Sequence, residues 1–177
     1  MSSTVAGSVP LAGSAAGQTP YIERGSADFL RTSIALFCAG IATFTLLYFA
    51  QPLIPIFAQE FGISPASASL SVSLPSIALA LGTLVAGALS ERFGRKPLMV
   101  GAVFGSAGLT VLSAFAPNWE LFLLLRTLQG LALAGLPAAA MAYLAEEVHP
   151  RAIGLSMGVY ISGNALGGML EIGRAHV

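Results

Sequence analysis

Long runs without charge constrain this chain more than any other feature. Its 177 residues carry sixteen Asp, Glu, Lys and Arg side chains. These are clustered, and the uncharged runs that they leave include 32–59, 61–90, 97–119 and 152–170, each of 19 residues or more. A fifth run, 121–145, is interrupted only by Arg126. Because about 20 apolar residues suffice for a helix to cross a bilayer, we expect five transmembrane helices, numbered spans 1 to 5 in chain order.

The composition supports a chain that is solvated by lipid. Hydrophobic residues make up 55% and charged residues 9% of it, with a mean hydropathy of +0.81, whereas a typical globular protein is roughly 25% charged. Eight acidic and eight basic residues give no basic surface for nucleic acid, and the single Cys38 excludes internal disulfides. No nucleophile triad, phosphate loop or metal-ligand spacing is present, so we expect no enzyme, no metal and no cofactor. The predicted fold class is an all-α polytopic membrane helix bundle in the lipid bilayer.

The loop charges predict an orientation. The only charged residues in the loops between spans 1 and 2 and between spans 3 and 4 are Glu60 and Glu120. The remaining connections and the segment before span 1 carry six bases, namely Arg24, Arg31, Arg92, Arg95, Lys96 and Arg151. Because basic loops stay in the cytoplasm, the N-terminus is predicted to be cytoplasmic.

Local signals mark the ends of the helices. Ser64 followed by Pro65 is typical of a helix N-cap with proline in the first turn, and Pro97 gives the same signal after the turn that contains Gly94. Pro52 and Pro55 are expected to kink span 1 or mark its end.

The two ends of the chain differ in kind from the spans. Residues 1–30 begin with a stretch rich in Ser, Ala, Gly and Thr, which predicts a disordered cytoplasmic tail. Residues 171–177 break the last apolar run and look like the translation of a sequencing adapter, so they are expected to be an artefact. Spans 1 to 5 are expected within residues 31–170.

A compact charged turn lies between spans 2 and 3. The segment 87–96 reads G-A-L-S-E-R-F-G-R-K. Gly87 would allow close helix approach and Gly94 a tight reversal. On charge alone, a simple topological anchor is an equally good interpretation. The spacing closely resembles the signature of the major facilitator superfamily between its helices 2 and 3, G-x-x-x-D-R-x-G-R-K, with Glu91 where the family usually has Asp.

Two further segments resemble the same family in its own order. Residues 125–130, L-R-T-L-Q-G, are similar to the R-x-x-Q-G signature of helix 4, and residues 145–151 to the acidic-Pro-Arg loop before helix 5. The resemblance implies the first five helices of a twelve-helix fold that lacks its C-terminal half here. It also implies proton-coupled secondary active transport of a small solute by alternating access in the inner (plasma) membrane, with the fragment inactive alone. A non-transporting membrane scaffold or a small helical channel subunit is the alternative.

The position of Arg126 within span 4 requires an explanation, because inserting an arginine at the centre of a membrane helix costs about 2.5–3.5 kcal/mol. It could snorkel to the interface, or it could line the translocation path. The resemblance favours the path and links the matching arginine to proton coupling, together with Gln129 and Gly130.

The charged turn is expected to act as a gate. Glu91 and Arg95 are close in sequence, and Glu146 or Glu147 returns to the same membrane face, so we expect a network of these charges. The resemblance implies an inner gate that opens during transport, made of Gly87, Glu91, Arg92, Gly94, Arg95, Lys96, Glu146, Glu147 and Arg151.

Three polar residues are candidates for lining a cavity. They are Tyr48 and Gln51 in span 1 and Asn164 in span 5. Asn164 lies in the segment 163–168, which resembles the antiporter signature G-P-x-x-G-G with asparagine in place of proline. An equally good interpretation is that Asn164 bonds a neighbouring helix. Small residues at fourfold spacing predict close helix contacts in three spans, at Ala78, Gly82, Ala86 and Ser90, at Gly101 and Gly105, and at Gly154, Gly158 and Ser162.

Overall fold

The chain is almost entirely helical in the part that its computed structural model describes, residues 21–23 and 25–174. In this part the backbone outside the helices forms turns and one isolated parallel bridge between Ile22 and Val148. The helices are α1 (Ala27–Tyr48), α2 (Ile54–Glu60), α3 (Pro65–Ala68), α4 (Leu70–Phe93), α5 (Arg95–Ser113), α6 (Trp119–Leu133), α7 (Gly135–Glu147) and α8 (Pro150–Arg174).

The five predicted spans are present as helices. Span 1 is α1, span 2 joins α3 and α4, span 3 is α5, span 4 joins α6 and α7, and span 5 is α8. Among the described residues, the first four are long and apolar enough to cross a membrane. Helix α8 is not among these four, but its 25 residues are about 37 Å long at 1.5 Å per residue. The all-α bundle is therefore confirmed.

Caps and turns explain where the helices begin. The Ser64 hydroxyl accepts a hydrogen bond from the Ser67 amide at the start of α3, as predicted for a serine N-cap. Gly94 has φ +85° between α4 and α5, a conformation that a side chain would strain. The tight reversal predicted at Gly94 is therefore confirmed, although α5 begins at Arg95, ahead of Pro97.

The chain becomes helical earlier than the predicted boundary at residue 31. The Ser26 side chain accepts from the Phe29 amide, so α1 begins at Ala27. Within the tail predicted for residues 1–30, residues 1–20 and 24 lie outside the described residues. At the other end, α8 continues to Arg174, and residues 175–177 also lie outside them.

Prolines divide two of the predicted spans. Helix α1 ends at Tyr48, and after a turn that contains Pro52 the chain forms the short helix α2 with Pro55 in its first turn. Span 4 is interrupted at Ala134, between α6 and α7. Pro137 has no amide hydrogen to bond the Leu133 carbonyl, which explains this break.

The helices pack in two groups that share one core. Helix α1 lies along α8, and α4 and α5 pack against α6 and α7. A Cβ atom on Gly40 or Gly163 would overlap backbone oxygen of the facing helix, so α1 and α8 approach closely there. The core includes Leu36 and Leu47 of α1, Leu133 and Leu136 of the α6–α7 region, and Tyr160 of α8.

The predicted small-residue contacts on α8 fall on the wrong face. Gly154 and Gly158 are exposed, and no other atom lies within 4 Å of a Cβ placed there. The buried face of α8 instead carries Ser156, Tyr160 and Gly163. Several helical faces carry small residues in this sequence, so their spacing alone cannot identify the face that packs.

Candidate functional site

Arg126 lies at the junction of α1, α4 and α6 and is completely buried, with 0% of its surface exposed. Its Nε donates to the Ser71 carbonyl of α4 at 3.1 Å. Its Nη1 donates to the Leu46 carbonyl at 3.1 Å, and its Nη2 to the Leu47 carbonyl at 2.7 Å. The guanidinium therefore joins three segments that are far apart in sequence.

The two α1 carbonyls explain why a cation is stable there. The last four carbonyls of a helix have no partner within it, and that end carries partial negative charge. At the end of α1, the Phe49 amide satisfies the Thr45 carbonyl and the Gln51 amide satisfies the Tyr48 carbonyl. Arg126 satisfies the two between them, so it acts as a side-chain cap of α1.

Gln129 completes this cap from the same face of α6. Its Oε1 accepts from Arg126 Nη1, and its Nε2 donates to the Leu46 carbonyl at 2.8 Å. The Arg126 guanidinium also lies 4.5 Å from the centre of the Phe49 ring, where a desolvated cation is attracted to the aromatic face. Among the described residues no carboxylate pairs with Arg126. Backbone carbonyls, the Gln129 side-chain oxygen and one ring therefore stabilise its charge.

Gly130 brings α6 into backbone contact with α4. A Cβ atom there would overlap the Pro75 carbonyl oxygen and lie 2.7 Å from the Pro75 Cα. No side chain fits in this space, so the glycine sets the separation of the two helices. The three residues of the R-x-x-Q-G segment thus have distinct contacts, and snorkelling of Arg126 to an interface is wrong because the side chain has no exposed surface.

The charged turn between α4 and α5 is linked to the end of α7. Arg95 forms an ion pair with Glu146 and donates from Nη1 to the Ala142 carbonyl at 2.6 Å. The Arg95 side chain is 18% exposed and the Glu146 side chain 63% exposed. This pair is one of the combinations that the sequence predicts for the gate network.

Other residues predicted for the gate make no ion pair in the part of the chain that the structure describes. Glu91 is exposed and lines the same shallow depression as Arg95 and Glu146. Arg92 is exposed and lies 5.5 Å from the centre of the Phe93 ring. Lys96 and Glu147 are exposed beside the pair and line the same shallow depression.

Gly87 does not make the close helix contact expected of it. It is exposed, and a Cβ atom there would meet no atom within 4 Å. The buried face of α4 passes instead through Gly82, Ala86 and Ser90, which are four residues apart. Gly87 is one residue further along, about 100° around the helix, so it faces away from the other helices.

The segment before α1 also meets this end of the bundle. The Ile22 amide donates to the Glu147 carbonyl at 2.8 Å, and the His149 amide donates to the Ile22 carbonyl at 3.3 Å. The Arg151 amide donates to His149 Nδ1 at 3.3 Å. Arg151, predicted for the gate, thus lies with the N-terminal segment rather than with Arg95. Hydropathy and charge give no signal for this bridge.

The three cavity candidates do not form one site. Gln51 is exposed in the turn after α1, and Tyr48 packs beside Phe44 with ring centres 5.2 Å apart. Asn164 lies on α8 beside Gly40, about two turns of α1 away from Tyr48. Its Oδ1 is buried without a hydrogen-bond partner among the described residues.

The family model described as the Major Facilitator Superfamily matches residues 33–170, which include α2 to α7 and most of α1 and α8. The chain belongs to the major facilitator superfamily. The superfamily resemblance drawn from the sequence motifs is therefore confirmed, and the names of its relatives describe transporters, not enzymes.

The curated relatives that match most of this superfamily chain include two bacterial transport proteins. The chain is 48% identical over 149 residues to the inner membrane transport protein YnfM of Escherichia coli (strain K12), which covers 84% of the chain and 36% of that protein. It is 49% identical over 147 residues to the uncharacterized MFS-type transporter YybF of Bacillus subtilis (strain 168). This match covers 83% of the chain and 36% of that protein. The chain therefore spans little more than a third of the length of either relative.

A third relative carries a substrate in its name. The chain is 39% identical over 107 residues to the 4-hydroxybenzoate transporter PcaK of Pseudomonas putida, which covers 60% of the chain and 23% of that protein. No solved structure matches the chain significantly.

Proposed function

We propose that this chain forms the first five helices of a secondary active transporter that moves a small solute across the inner membrane by alternating access. The observation that carries the proposal is the family match over residues 33–170, which covers all or most of each of the five spans. The similarity to an inner membrane transport protein supports it. The missing remainder would supply the second half of the pathway, so the chain alone is expected to be inactive.

The orientation follows from the charges at one end of the bundle. The bridge between Ile22 and Val148 and the pair of Arg95 with Glu146 lie at the same end, which also carries the loop bases. Because basic loops remain cytoplasmic, we place this end and the N-terminus in the cytoplasm. Attachment of a membrane-impermeant label to a cysteine introduced at Glu60, but not at Glu147, in intact cells would support this orientation.

We propose that the pair of Arg95 with Glu146 is part of the inner gate. It links the start of α5 to the end of α7, so movement between these helices requires the pair to separate. Its partial exposure limits the stabilisation to about 0–1 kcal/mol, which suits a contact that breaks in every cycle. Glu91 is free to contact the missing half, and the gate proposal for the remaining turn residues rests on the motif resemblance.

Transport and proton coupling are tested on the full-length protein in vesicles. Uptake would be measured with and without an imposed pH gradient and with a protonophore, using a panel of drugs, sugars and organic anions. The panel includes 4-hydroxybenzoate, which the name of one relative supplies. Accumulation that depends on the gradient supports a proton-coupled transporter. Equilibration without accumulation supports a channel, and no flux of any solute supports a scaffold.

The gate is tested in the same vesicles with charge variants. Arg95→Glu should slow transport, and the exchange of both charges, Arg95→Glu with Glu146→Arg, should recover part of the rate. Glu147→Gln is the matched control, because Glu147 lies next to the pair in sequence and makes no ion pair among the described residues. Unchanged transport in Arg95→Glu would contradict the gate assignment.

A further inference from the structure

Pro75 lies inside α4, where proline destabilises the helix. A residue in a helix normally donates its amide hydrogen to the carbonyl four positions earlier, and proline has no such hydrogen. The carbonyl that loses its donor here is that of Ser71. Ser71 and Pro75 are both fully buried, so water does not replace the missing bond. An unpaired buried acceptor in a membrane helix is strongly unfavourable.

The donor that replaces the missing amide is Arg126. Its Nε donates to the Ser71 carbonyl at 3.1 Å, from a different helix and 55 positions later in the chain. Backbone contact between Gly130 and Pro75 holds α6 close enough for this bond. The contact between Pro75 and Gly130 therefore lies one helical turn from the hydrogen bond between Arg126 and Ser71, which it makes possible.

This bond also fixes the direction of the guanidinium. The group is planar, with Nε and both terminal nitrogens in a rigid fork. When Nε is held by the Ser71 carbonyl, Nη1 and Nη2 point to the Leu46 and Leu47 carbonyls at the end of α1. Without Pro75, the Ser71 carbonyl would be occupied by its own helix, and Nε would lose its partner.

We propose that Pro75 is a positioning residue for Arg126: by removing one backbone donor from α4, it creates the acceptor that orients the arginine to cap α1. This arrangement accounts for a proline and a buried arginine that would each be destabilising alone. It concerns the assembly of α1, α4 and α6, so it does not depend on the proposed transport function.

The proposal is tested by a double-mutant cycle on the 177-residue chain in lipid nanodiscs, with unfolding followed in a denaturing detergent. Arg126→Lys leaves at least one of the three carbonyls without a donor, since an ammonium lacks the planar fork. It should raise the unfolded fraction roughly five- to a hundredfold, the range expected for an unpaired buried acceptor. In a Pro75→Ala background the backbone amide restored at position 75 satisfies the Ser71 carbonyl, so the same substitution should cost severalfold less.

Pro137→Ala is the matched control for this cycle. Pro137 also lies in a helix, α7, but Arg126 makes no hydrogen bond to the carbonyl that it frees. The cost of Arg126→Lys should therefore be unchanged in that background. An equal cost of Arg126→Lys in the wild-type, Pro75→Ala and Pro137→Ala chains would overturn the proposal.

A spectroscopic measurement on the unsubstituted chain avoids reliance on variants that fold poorly. Solid-state NMR of chain labelled with ¹⁵N-arginine and ¹³C-carbonyl serine should show a contact between an arginine Nε and a serine carbonyl. The contact should vanish in Arg126→Lys and weaken in Pro75→Ala, where the new amide competes for the Ser71 carbonyl. Its absence from the wild-type spectrum would overturn the proposal directly.

Discussion

Replacement of Gly130 by alanine probes the contact on which the junction of α4 and α6 depends. The new Cβ would lie 2.7 Å from the Cα and carbonyl carbon of Pro75, and it would overlap the carbonyl oxygen. Carbon atoms in contact are normally about 3.5–4.0 Å apart, so the helices must separate by about 1 Å. Backbone atoms of a buried proline cannot rotate away, in contrast to the end of a flexible side chain.

The separation has a second cost at Arg126. Its Nε lies 3.1 Å from the Ser71 carbonyl, and a shift of about 1 Å stretches this distance to about 4 Å, which is too long for a hydrogen bond. Overpacking costs about 1–3 kcal/mol, and the loss of a hydrogen bond to a charged group costs about 1.5–3 kcal/mol. After subtraction of the roughly 1 kcal/mol by which alanine favours a helix over glycine, we expect destabilisation by about 1.5–5 kcal/mol.

The assay is unfolding of the purified chain in mixed detergent micelles, followed by circular dichroism. Gly101→Ala is the control, because it makes the same chemical change in α5 at a position with no atom within 4 Å. This control should be neutral or stabilising by up to about 1 kcal/mol. If Gly130→Ala unfolds at the same denaturant concentration as Gly101→Ala, the backbone contact does not set the helix separation and the reasoning fails.

Three further outcomes are expected, the first two in the same unfolding assay and the third by amide hydrogen exchange. Arg95→Gln should change the free energy of unfolding by only about 0–1 kcal/mol, because its partner Glu146 is 63% exposed; a larger loss would contradict a weak gate contact. Gly163→Ala should destabilise by about 1–3 kcal/mol through overlap with the α1 backbone, whereas Gly158→Ala should not. Ile22→Pro removes the amide that bonds the Glu147 carbonyl, so exchange of the His149 amide, measured by mass spectrometry, should become faster.

The spans were predictable because lipid imposes a simple requirement on sequence. A helix in a bilayer satisfies its own backbone bonds, so about 20 apolar residues between charges are sufficient information for its position. The Ser64 cap and the reversal at Gly94 are equally local, since each depends on a few consecutive residues. Family membership followed from short motifs for the same reason.

The faces of the helices were less predictable. Gly87 and Gly154 have the small side chains of a close contact and yet are exposed, while Gly130 and Gly163 make such contacts. Apolar and small residues surround every helix of a chain that faces lipid on one side and protein on the other. Hydropathy therefore does not distinguish the side of a helix that faces lipid from the side that packs against protein.

The sequence by itself determined the number of spans, their approximate limits, the family and the presence of one costly charge in span 4. Only the tertiary structure decided what satisfies that charge. The partners of Arg126 are backbone carbonyls of residues 46, 47 and 71, which every residue type possesses and which no sequence pattern marks. They become available because α1 ends and because Pro75 lacks a donor, and they come within reach of one side chain only when α1, α4 and α6 pack together.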